Sequence, residues 1–153
     1  MKGYPRWFQP ALLAGSLGLY ASGCLLAPTT LQLRADWDLA WRLAANARIG
    51  MAALHATLAF VVLMFVGALW SVHMRSGWRR HRQKSSGLLV ALPALLLALT
   101  GVAVYYLADE AWANVAALVH LGVGVLLLLP FLWHLVAGRR LRRRHHHHHP
   151  HHR

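Results

Sequence analysis

The chain has 153 residues, of which 58% are hydrophobic and only 13% charged, and this composition excludes most water-soluble folds. Its 16 basic and 4 acidic residues give a formal net charge of +12. The basic residues flank long uncharged stretches, as the positive-inside rule of membrane proteins requires, so the charge does not indicate nucleic-acid binding.

Four stretches without Asp, Glu, Lys or Arg are each long enough to cross a bilayer, because a helix needs about 20 residues to span about 30 Å of hydrocarbon. Strands with open edges are excluded there, since their unpaired backbone groups would face lipid. The sequence therefore predicts an all-α integral membrane four-helix bundle. Its spans are predicted at residues 8–26, 49–72, 88–107 and 115–137.

The first span also resembles a secretory or lipoprotein signal, because Lys2 and Arg6 precede its apolar run and Ala21-Ser22-Gly23-Cys24 ends it. Ala21 stands where a lipoprotein signal usually has Leu, and the apolar run is long for a cleaved signal. We therefore favour a retained span. Cleavage would leave three spans.

The charges of the connections predict the topology. Arginines dominate the connection between the second and third spans and the tail, whereas all 4 acidic residues lie in the other two connections. This asymmetry predicts that both termini are cytoplasmic, N-in and C-in. The outer segment 29–46 mixes polar residues with Leu and Trp and could form a short helix on the membrane surface.

The chain divides into a four-span transmembrane bundle at residues 1–144 and a His-rich cytoplasmic tail at 145–153. The tail is low in complexity and predicted to be disordered. A solvated basic tail is the simpler interpretation, and weak capture of Zn, Ni or Cu by its imidazoles is the alternative.

Four histidines lie in or beside the predicted spans, where an ionisable side chain is costly and indicates a function. They form two pairs on parallel spans, His55 and His73 on the second and His120 and His134 on the fourth. The separations of about 18 and about 14 residues are close to whole numbers of helical turns, so each pair shares one face. His55 and His120 lie at similar depth on the outer side.

Imidazoles that face each other across a bundle are what bis-histidine haem ligation requires. Small residues such as Gly124 would let a flat macrocycle approach the backbone, although Gly124 could equally serve helix packing. The alternative for each histidine is a hydrogen bond within the bundle, and His73 lies at a span end where it needs no ligand role. Arg48 and Arg75 are placed to neutralise haem propionates or, equally, to anchor the span ends.

A further pattern begins at His120, which forms an H-x(3)-G-x(9)-H string with Gly124 and His134. Together with Leu99-Thr100-Gly101 and the basic segment after His73, this string resembles the prokaryotic four-helix di-haem cytochrome b membrane subunits. The resemblance covers residues 48–144. It implies two haems b, one near each face of the membrane, and electron transfer between a quinone or quinol and a redox partner.

The leading hypothesis is therefore a di-haem b-type cytochrome in a bacterial inner membrane, an electron-transfer subunit rather than a stand-alone enzyme. Its redox partner is expected on the periplasmic side, with lipid around the bundle and no nucleic acid. The alternatives are a haem-free membrane anchor or assembly subunit and a histidine-based metal transporter. One departure weakens the inner haem, because about 27 Å separates His55 from His73 but about 21 Å separates His120 from His134.

Overall fold

The computed structural model of the chain describes residues 4–69 and 84–146 and has four helices in that part. They are α1 (Phe8–Ala35), α2 (Ala45–Leu69), α3 (Lys84–Tyr106) and α4 (Glu110–His146). All four are long and apolar enough to cross a membrane, and no strand occurs among the described residues. The predicted all-α bundle with four membrane-spanning helices is thus confirmed.

Helix α1 differs from the prediction, because it continues to Ala35 instead of ending near residue 26. The polar residues and Pro28 that lower the hydropathy after Leu26 remain helical, since a proline removes one N–H without ending a membrane helix. The helix ends at Asp36, which adopts a left-handed conformation with φ of 54°. Here the backbone N–H of Trp37 donates to the Leu31 carbonyl at 3.3 Å, a bond that helix C-termini commonly make.

Segment 29–46 is accordingly not a separate helix on the membrane surface, and that interpretation was wrong. Its first part belongs to α1, residues 36–44 are irregular, and α2 begins at Ala45. Alternating Leu and Trp side chains gave this segment two conflicting periodicities. Trp37 and Trp41 are 59% and 51% exposed, as expected for rings at a membrane surface.

The helices pack in the order α2, α1, α4, α3, with each helix against the next. The buried side chains of the described part are mostly small or polar, whereas the large aliphatic side chains are exposed. A membrane bundle has this distribution, because lipid solvates the aliphatic side chains and small residues let backbones approach. Three buried alanines, Ala113, Ala116 and Ala117, lie along one face of α4.

Two polar contacts join α1 to other helices near its ends. At the C-terminal end, the Arg34 guanidinium donates to Oδ1 of Asn114 on α4 at 2.6 Å. Just before α1 begins, the Tyr4 hydroxyl donates to the Ala68 carbonyl of α2 at 2.8 Å. The first contact lies beside the buried alanines of α4, so it holds α1 and α4 in register.

The C-terminal helix α4 ends at His146, within the predicted tail. Residues 147–153 lie outside the described part of the chain, as does the connection 70–83.

The predicted topology can be tested with single cysteines in a Cys24→Ser background. Ala111 is exposed at the start of α4, and Ser85 lies at the start of α3 beside the basic connection. We expect Ala111→Cys to react with an impermeant maleimide added to intact cells and Ser85→Cys to react only after the membrane is permeabilised. The opposite labelling pattern would place both termini outside.

Candidate functional site

His55 and His120 are each bound by a hydroxyl from the preceding helix. Nδ1 of His55, on α2, lies 2.9 Å from Oγ of Ser22 on α1. Nδ1 of His120, on α4, lies 3.0 Å from Oγ1 of Thr100 on α3. The two helix pairs α1–α2 and α3–α4 therefore contain the same interhelical contact.

The two imidazole rings lie next to each other inside the bundle. Their centroids are 6.2 Å apart and their planes are inclined by 78°. Each histidine stands ten residues after the first residue of its helix, so both lie about 15 Å from the helix ends that begin at Ala45 and Glu110. The structure thus brings His55 and His120 together at one depth, between parallel helices.

Glycine occupies the position after each hydroxyl residue, directly against an imidazole ring. A Cβ atom on Gly23 would lie 3.1 Å from Cε1 of His55, and a Cβ atom on Gly101 would lie 3.3 Å from Cε1 of His120. Both distances are shorter than ordinary van der Waals contact, so an alanine at either position would require the imidazole ring to shift by a few tenths of an ångström.

Two imidazoles suit a cofactor that takes two axial protein ligands. Within residues 4–69 and 84–146, no group of three or more His, Cys, Asp or Glu side chains is placed to hold a bare metal ion. Structural and catalytic zinc sites use three or four protein ligands, whereas a bis-histidine haem uses two. The two imidazoles of the described site match in number the protein ligands of a bis-histidine haem.

The other predicted site residues are not part of this cluster. His134 is half-buried on α4, about 21 Å along the helix axis from His120. Arg48 lies in the first turn of α2 and is half-buried, seven residues before His55. His73 and Arg75 lie outside the described residues.

Gly124 contacts α3 instead of an imidazole. A Cβ atom at Gly124 would lie 3.8 Å from Cδ2 of Leu97, an ordinary packing distance. This position is consistent with the helix-packing alternative, and nothing else among the described contacts involves Gly124 with the histidine pair.

Sequence reasoning missed Ser22 and Gly23 as partners of His55 and did not assign Thr100 and Gly101 to His120. A signal was present in the sequence, because residues 19–23 and 97–101 share the string L-x-x-[S/T]-G. Ser22-Gly23 was instead interpreted as part of a signal-like sequence. The repeated string marks the two segments as equivalent, but which histidine lies opposite each hydroxyl depends on the packing of the helices.

Comparison of the chain with protein-family models, with curated proteins and with solved structures finds no match. The geometry of the histidine pair is therefore the basis for any statement about function.

The glycine contacts predict that replacement by alanine changes thermal stability differently at different helical glycines. Gly122 has no atom within 4 Å of its Cβ position, so Gly122→Ala should raise the thermal midpoint in detergent through the better helix propensity of alanine, about 1 kcal/mol. Gly101→Ala should not be stabilised in this way, because the methyl group of the new alanine would contact the His120 ring. Equal shifts of the thermal midpoint in the two variants would show that the position of the His120 ring does not require a glycine at residue 101.

Proposed function

We propose that the chain is a b-type cytochrome subunit that carries electrons within and across a bacterial inner membrane. The observation that carries the proposal is the 6.2 Å between the centroids of the His55 and His120 rings. Two imidazoles on opposite sides of one metal would place their centroids about 6.3 Å apart, because a metal–nitrogen bond is about 2.0 Å and the nitrogen lies about 1.15 Å from the centroid. The ring separation agrees with this value.

The residues around the pair also fit such a cofactor. A haem with two histidine ligands has no open axial position, and it supplies reversible one-electron transfer instead of substrate binding. His55 and His120 would be its axial ligands. The exposed aliphatic side chains of the helices face lipid and keep water away from the site, which lowers the local dielectric and tunes the potential.

A second haem, ligated by His73 and His134, is the other part of the proposal. His134 is about 21 Å from His120 along α4, too far to share one cofactor with it and suitable for a second site toward the other face. Arg48 and Arg75 would neutralise propionates. Two haems at these depths would carry electrons between a quinone or quinol and a redox partner on the periplasmic side.

Purified protein should carry about two haems b per chain, seen as b-type bands in a reduced-minus-oxidised spectrum. The haem should be extracted by acid acetone, because the sequence has no C-x-x-C-H string for thioether attachment. Protein from haem-supplied cells without these bands would contradict the proposal and favour a haem-free anchor or assembly subunit. Binding of Zn or Cu in place of haem would favour the metal transporter.

Ligand variants should separate the two haems. His55→Ala and His120→Ala should each remove the outer haem and leave the inner haem, because each removes one axial ligand of the described pair. His134→Ala and His73→Ala should do the reverse. His81→Ala, in the basic connection, is the control and should keep both haems. Full haem content in His55→Ala or His120→Ala would contradict ligation by this pair.

A further inference from the structure

The hydroxyl contacts of the two histidines follow one pattern in both halves of the bundle. The Ser22 hydroxyl donates to the Leu19 carbonyl of its own helix at 2.9 Å, and the Thr100 hydroxyl donates to the Leu96 carbonyl at 2.8 Å. Each hydroxyl also touches Nδ1 of a histidine on the next helix. The α1–α2 and α3–α4 pairs thus repeat a half-site consisting of a hydroxyl, a glycine and an imidazole.

The single proton of each hydroxyl determines which tautomer the neighbouring imidazole adopts. A hydroxyl has one proton and can accept further hydrogen bonds through its lone pairs. The carbonyl oxygen can only accept, so the Ser22 proton is used in the bond to Leu19. The contact between Ser22 and His55 then requires the proton on Nδ1 of the imidazole. The same account holds for Thr100 and His120.

A neutral imidazole with its proton on Nδ1 has a lone pair on Nε2, the nitrogen that can bind a metal. With the proton on Nδ1, both histidines would present a ligand nitrogen and neither would need to lose a proton. The glycine after each hydroxyl residue lies against the same edge of the ring, near Cε1 and Nδ1, and leaves room for the ring there. The hydroxyl therefore sets the tautomer, and the glycine lets the ring approach to hydrogen-bonding distance.

We infer that Ser22 and Thr100 are positioning residues that orient His55 and His120 as metal ligands and strengthen them as electron donors. An N–H that donates to a hydroxyl makes the imidazole a better donor through its other nitrogen, which favours the oxidised metal. The part of this inference that concerns the potential rests on the proposed function, whereas the tautomer does not. The two half-sites are equivalent, so neither hydroxyl is expected to dominate.

The test compares Ser22→Ala and Thr100→Ala with the conservative changes Ser22→Thr and Thr100→Ser. The matched control is Thr57→Ala, because the Thr57 hydroxyl also donates to a carbonyl of its own helix, that of Ala53 at 2.8 Å, two residues from His55. Tautomers are measured by nitrogen NMR on full-length protein labelled in histidine and prepared without haem. His55→Ala and His120→Ala assign the two signals.

We expect an Nδ1–H pattern for both histidines in the unchanged protein. Ser22→Ala should alter the His55 pattern, Thr100→Ala the His120 pattern, and the conservative and control variants neither. In haem-loaded protein, each alanine variant should raise the ratio of reduced to oxidised haem at a fixed potential about threefold. This is the size expected for the loss of one modest hydrogen bond.

Unchanged nitrogen patterns in Ser22→Ala and Thr100→Ala would overturn the inference, and so would an equal potential shift in Thr57→Ala. If the spectrum shows no haem but the nitrogen patterns change as expected, the proposed function fails and the tautomer assignment stands. If haem binds and the patterns do not change, the proposed function stands and the positioning role fails.

Discussion

The structure depends on one constraint, that a polar group inside the hydrocarbon must find its partner within the protein. The imidazoles of His55 and His120 lie within membrane-spanning helices, and neither has a carboxylate nearby, since the four acidic residues lie in the connections or at the first residue of α4. The nearest partners are the hydroxyls of Ser22 and Thr100, which lie on the preceding helices. Each imidazole therefore links its own helix to the preceding helix through a hydrogen bond.

This constraint also accounts for the way the helices pack. Lipid solvates aliphatic side chains as well as a protein core does, so burial of leucine gives little preference for one helix arrangement over another. Directional contacts supply that preference. In the described residues these include the two hydroxyl–imidazole bonds, the bond from Arg34 to Asn114 and the bond from Tyr4 to Ala68. Each contributes about 0.6 to 2 kcal/mol, and together they specify the neighbours and register of the helices.

The sequence was informative where one physical effect dominates and misleading where two compete. Hydropathy predicted four spans, because the lack of charge over about 20 residues has few other causes. It placed the end of the first span too early, because Pro28 and its polar neighbours lower hydropathy without breaking the helix. Counting turns placed His55 and His120 on facing stripes at one depth. Their ligand role stays a prediction.

The partners of the histidines were harder to predict for a physical reason. A serine or threonine in a helix satisfies its hydroxyl on a carbonyl one turn earlier, so its sequence gives no sign of a second bond. The second bond depends on which residue of another helix lies opposite. Only the packing of α1 against α2 and of α3 against α4 determines that.

The contact between His55 and His120 also sets the requirements for the inner histidine pair. Measured from this common level, His134 lies about 21 Å further along α4, while His73 is about 27 Å further along the chain if the helical rise continues. The two become level only if the second helix is inclined to α4 by about 40° or is locally unwound. Such a tilt would separate the inner ends of the two helices. Because a straight inclined helix would carry His73 away from His134, the proposed second haem requires the second helix to bend or unwind between His55 and His73.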